Sequence, residues 1–132
     1  MDPEQVPPSY ATAGVEPHGL VHVSGGGLLN LGRLAADVSY ELDALPPPPP
    51  VFALIAEAGK IPAATMYATF NMGIGFCVVI PAARQQAAMD ALKSAGEEPA
   101  RVGWVTGRPG RYVSIPSACL RGRGDAFEAV PS

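Results

Sequence analysis

Residues 70 to 81 read FNMGIGFCVVIP. Phe76 to Ile80 run without a polar break, too short for a helix and rich in β-branched side chains, and the run is bounded by Gly75 and Pro81. Such a segment is a buried strand, which needs other layers of structure to cover it. Gly73 and Gly75 alternate just ahead of it, which places both on one face of the strand entry and leaves a bare patch where a ligand or another backbone can approach. Asn71 offers a donor and an acceptor beside them. A bulge would use the same glycines, so this stretch alone leaves both readings open.

The rest of the chain supplies the covering layers. LVHVS (20 to 24) has period-2 valines and a leucine, three glycines break it, and LLNLGRLAA follows with Leu28, Leu31 and Leu34 at helical spacing. DVSYELD alternates Val38, Tyr40 and Leu42 against Ser39, Glu41 and Asp43, the pattern of a strand with one wet face. PPPPP (46 to 50) favours polyproline II, a stiff spacer of about 15 Å. VFALIAEAGK and PAATMYATF predict two short helices, the second with Pro62 suited to a first turn. ARQQAAMDALKSAG predicts a third, with Ala88, Met89 and Leu92 on one face and Gly96 as its stop. RVGWV and RYVSI, joined by TGRPG, read as a hairpin. The order predicts an α/β or α+β domain, a mixed sheet covered by helices.

At 132 residues the chain is long enough for one domain that buries about two thirds of its unfolded surface. Its 15 glycines and 15 prolines fall mostly in clusters, which predicts a compact body with loose ends: a leader over 1–17, a domain over 18–117 and a flexible tail over 118–132. The GRGD at 122 to 125 falls in that tail and reads as a chance match to an adhesion motif. Nine basic against twelve acidic residues, with no basic stripe beside aromatics, argue against nucleic acid as a partner. No apolar run approaches the length of a membrane span, and an acidic N-terminus is unlike a signal peptide, so a cytoplasmic, non-membrane protein is expected. Cys77 and Cys119 are too isolated to suggest a disulfide framework or a metal site, and reduced thiols are expected.

HVSGGGLLN places three residues without Cβ between a strand and a helix, where backbone N–H groups can face an anion unobstructed. His22, two residues ahead of the turn, carries an imidazole, a group that suits contact with a phosphate or a developing oxyanion. A tight turn needs glycines equally, and a strand histidine is often structural, so these residues by themselves decide nothing.

Together the two clusters resemble one family. HVSGGGLLNLGRL is similar to the His-Ile-Thr-Gly-Gly-Gly segment, followed by Asn and Arg, of aminoimidazole ribonucleotide synthetases, also called phosphoribosylformylglycinamidine cyclo-ligases. MYATFNMGIGFCVVIP resembles their Met-Tyr-x-x-Phe-Asn-Met-Gly-x-Gly segment, and LPPPPPVFALIAEAGKI resembles the proline-rich connection between the two. The likeness runs over about residues 18 to 116 and covers only the C-terminal half of such an enzyme. Val23 and Ser24 replace Ile and Thr, and Gly32 stands where many members have proline, a change that weakens a helix by roughly 1 kcal/mol relative to alanine.

The resemblance implies part of an ATP-dependent ligase of purine biosynthesis that closes the imidazole ring of formylglycinamidine ribonucleotide. ATP and Mg²⁺ would serve the complete enzyme, with the metal and nucleotide ligands on an N-terminal half, and no metal ligands are expected here. It implies His22 as an acid–base or polar contact and Ser24, Gly25, Gly26, Gly27, Asn30 and Arg33 around the substrate phosphate. Asn71, Gly73 and Gly75 would line the groove. A homodimer or hetero-assembly with a separately encoded half is implied, and such a domain standing alone should expose an apolar patch and self-associate. A non-catalytic module that holds a phosphoribosyl ligand or a partner domain is the alternative.

Overall fold

The computed structural model describes residues 19–131. The leader expected over 1–17 lies outside the described residues. The described fold is α+β: two β-sheets and three α-helices joined by short 3-10 turns.

β1 (Gly19–His22) and β3 (Phe76–Val79) form an antiparallel ribbon in which Val21 opposes Cys77 and His22 opposes Phe76. The apolar run of β3 is explained by burial on two sides. Cys77 and Val79 join the main core, while Val78 and Ile80 pack with Ala88 and Leu92 of helix α3 (Gln85–Ser94). Gly96, at φ 87°, follows that helix in the left-handed conformation expected of its stop.

The larger sheet has the order β4 (Trp104–Thr106), β2 (Ser39–Glu41), β5 (Val113–Ile115), β6 (Leu120–Arg123), β7 (Ala126–Ala129). All its pairings are antiparallel except β2 with β5, so the sheet is mixed. Tyr40, Val113 and Phe127 point to the core, where Val113 and Ile115 are wholly buried.

Two expectations are corrected here. RVGWV and RYVSI are not a hairpin: β2 lies between β4 and β5 and pairs with both. The segment after Cys119 is not a loose tail either. Its β6–β7 hairpin closes the sheet with Leu120 and Phe127 in the core.

The leucine-rich segment after the glycines is a 3-10 helix, Gly27–Arg33, rather than an α-helix. Gly27 to Leu31 are all buried, which no one-sided helix allows. The segment is wedged among β1, β5, β6 and helix α2 (Ala63–Thr69), and this all-round packing overrides the helical spacing of its leucines. Helix α1 (Pro50–Gly59) begins with Pro50 in its first turn, while Pro62 serves as the N-cap of α2 instead of lying inside it. The proline run is therefore not a free spacer. Pro49, at φ −54° and ψ 147°, keeps the extended form, but Pro46 and Pro48 close with Leu28, Tyr67 and Ile74 around a crevice of about 10 Å³, barely room for one water.

Candidate functional site

The two glycine motifs meet where the β1–β3 ribbon begins. The Val23 N–H donates to the Gly75 carbonyl at 3.0 Å, one step beyond the His22–Phe76 pair, whose ring centroids are 6.4 Å apart. His22 and Phe76 are both exposed there. The chain then turns through Ser24 to Gly27, closed by the Gly27 N–H donating to the Ser24 carbonyl at 2.9 Å.

The predicted site residues divide by what they do in this turn. Gly27, at φ 58°, has no room for a side chain: a methyl there would lie 2.6 Å from the Phe70 carbonyl oxygen and closer still to that of Tyr67. Gly26, at φ 100°, makes the left-handed corner. Asn30 is 2% exposed and spans the turn, its Oδ1 accepting from the Ser24 N–H at 2.9 Å and its Nδ2 donating to the Gly25 carbonyl at 3.2 Å. Its amide is engaged in holding the loop. Gly25 is different: it is exposed, and a methyl there would meet nothing within 4 Å.

The second motif divides the same way. Asn71 Oδ1 accepts from the Gly73 N–H at 2.9 Å, and the Asn71 carbonyl accepts from the Ile74 N–H at 3.0 Å, so this asparagine builds a turn. Gly73, at φ 95°, belongs to that turn and not to the strand, and a methyl on it would lie 2.6 Å from Pro49 Cδ. The expectation that Gly73 and Gly75 share one strand face is thereby corrected, because the strand begins only at Phe76. Gly75 is exposed and unobstructed. The mouth of the ribbon thus carries two open backbone positions, Gly25 and Gly75, with His22 beside them and buried asparagine and glycine holding the loops behind.

Arg33 is exposed at the end of the 3-10 segment, and its Nη2 lies 3.6 Å from where a Cβ on Gly26 would be. From beside that turn it also lines a groove with Arg111 and Arg123, residues that sequence reasoning did not select. Their signal was the recurring arginine–glycine pairs of GRPGR and RGRG. Cys77 sits inside the ribbon, and burial pushes its thiol up to about 11, which keeps it protonated and poorly nucleophilic near neutral pH. Burial likewise raises the Tyr67 phenol. Among the described residues no three His, Cys, Asp or Glu side chains gather in a way that would hold a metal ion.

The chain is 45% identical to the phosphoribosylformylglycinamidine cyclo-ligase of Methanothermobacter thermautotrophicus over 94 residues, 71% of this chain and 27% of that protein. It is 41% identical to the protein of the same name from Thermococcus gammatolerans over 99 residues, 75% of this chain and 28% of that one. A third, from Methanopyrus kandleri, is 43% identical over 77 residues. The chain thus spans about a quarter of the length of these relatives. The family described as AIR synthase related protein, C-terminal domain, matches residues 6–115, most of the chain, and to that family this chain belongs.

Proposed function

We propose that this chain supplies the C-terminal part of an ATP-dependent cyclo-ligase acting on formylglycinamidine ribonucleotide. In that reaction the formyl amide oxygen is activated by phosphoryl transfer, the amidine nitrogen attacks the same carbon, and phosphate leaves as the imidazole ring closes. Such chemistry depends mainly on positioning and charge stabilisation. The backbone at Gly25 and Gly75 would receive the anionic part of the ribonucleotide, and His22 would hold or move a proton beside it. The observation that carries this reading is the junction itself. Two motifs about fifty residues apart are joined by the Val23–Gly75 hydrogen bond, with unobstructed glycine on each side.

The remaining three quarters of a relative's length would bring ATP and its Mg²⁺ ligands. The exposed apolar residues Val51 and Leu54 on α1 and Trp104 and Val105 on β4 are suitable surfaces for such a partner. Among the described residues no helix is long and apolar enough to cross a membrane. A cytoplasmic assembly, homodimeric or built from two chains, belongs to the same proposal.

The test is reconstitution. The chain, joined to or mixed with the N-terminal part of an archaeal cyclo-ligase lacking its own C-terminal domain, should restore ATP-dependent formation of aminoimidazole ribonucleotide. His22→Ala should lower turnover at least tenfold. Full turnover without His22 would remove its catalytic role, and binding of the ribonucleotide without any turnover would favour the non-catalytic module.

A further inference from the structure

The chain is acidic overall, with a formal charge of −3, yet five of its nine basic residues converge in one place. Arg33, Arg111 and Arg123 line a groove of about 390 Å³, within the lower range of small-molecule sites. Arg108, Arg121 and Arg123 surround the ring of Tyr112, their guanidinium carbons 5.1, 5.3 and 5.1 Å from its centroid. These side chains come from the 3-10 segment, the β4–β5 loop and β6, so tertiary structure has collected them.

Intramolecular carboxylates do not account for the cluster. The ion pair among the described residues is Arg101 with Asp43, outside the groove. Asp37 lines the groove, but its carboxylate accepts from the Gly110 N–H at 2.7 Å. Glu128 lies opposite Arg121 in the β6–β7 register without forming an ion pair. Arg111 is held in place, its Nη2 donating to the Ala35 carbonyl at 2.8 Å on a backbone at φ 57°, an uncommon conformation for a residue with a side chain. Like charges gathered around one groove and one ring repel each other, and a bound polyanion reverses the sign of that term. Guanidinium forks match phosphate oxygens in geometry as well as charge, and Gly110 and Gly124 leave the groove wall low enough for close approach.

We propose that this groove is a binding site for the di- or triphosphate group of a small molecule, with Arg33, Arg111 and Arg123 as its ligands. The inference goes beyond the cyclo-ligase reading: the groove shares only Arg33 with the residues assigned to that reading, and neither Arg111 nor Arg123 belongs to it.

Titration calorimetry of the whole chain with pyrophosphate as probe tests it. Saturable one-to-one binding is expected, weakened at least tenfold by Arg123→Gln, an exposed position whose loss leaves the core untouched. Arg84→Gln and Lys93→Gln, exposed positions outside the groove, should leave the affinity within twofold. Tighter binding of ADP than of pyrophosphate would support the site and identify a nucleotide as the source, and equal binding would support it for the free anion. No binding at millimolar pyrophosphate, equal weakening by Arg84→Gln, or an affinity untouched by Arg123→Gln would overturn the proposal, as would binding of an oligonucleotide in place of pyrophosphate. Arg123→Gln with His22 intact separates this outcome from failure of the cyclo-ligase reading.

Discussion

At the mouth of the β1–β3 ribbon, Gly25 and Gly75 present bare backbone and His22 is the neighbouring titratable group. At the far end of the 3-10 segment, three guanidiniums crowd a groove and three surround Tyr112. One surface can recognise an anion by where its peptide groups are fixed, the other by charge. The first depends on loops that cannot move, which is why Gly27 and Asn30 are buried behind it. The second depends on long exposed side chains, whose attraction falls as salt screens it.

The sharpest contrast lies within the glycine triplet. Gly27→Ala drives a methyl into the carbonyls of Tyr67 and Phe70 on a backbone already left-handed, so a loss of about 3 kcal/mol or more is expected in urea unfolding. Asn30→Ala leaves the Ser24 N–H and the Gly25 carbonyl without their partner and should cost about 2 kcal/mol by the same measurement. Preserved stability in either variant would mean that the loop is not held as described.

Cys77 adds a pH effect of the ribbon interior. Its thiol stands at about 11 against an ordinary 9.0. Between those values the unfolded chain has released a proton that the folded chain keeps, so stability should fall as pH rises, by on the order of 1 kcal/mol per pH unit. The loss between pH 8 and 10 should vanish in Cys77→Ala, compared with its own stability at pH 8, while the buried Tyr67 phenol adds a loss of the same sign above that range. Smallest of all should be Gly25→Ala: with nothing within 4 Å, its stability should stay within about 0.5 kcal/mol of the parent chain.

The sequence was most readable where one physical pattern acted alone. The apolar run of β3, the alanine-rich α3 and the body of α1 form where their composition and spacing predict, although α1 takes its first residue, Pro50, from the run read as a spacer. It was least readable where distant segments decide the outcome. β2 enters between β4 and β5, and neither RVGWV nor RYVSI contains any sign of that guest. The final hairpin was hidden because β6 and β7 are four residues each and place only Leu120, Gly122 and Phe127 inward. In the site, the motifs located the turns, but they could not show that Asn30 and Asn71 are engaged with backbone or that Gly73 rests on Pro49. Arg33 and Arg123 stand ninety residues apart in sequence, and only the fold brings them together.

The central claim is that open backbone at Gly25 and Gly75 receives the substrate's anionic group. Its most direct test is the double variant Gly25→Ala, Gly75→Ala in the reconstituted cyclo-ligase, since neither methyl meets an atom within 4 Å. Unchanged unfolding with turnover reduced at least tenfold is the predicted result; turnover equal to that of the unsubstituted chain would contradict it.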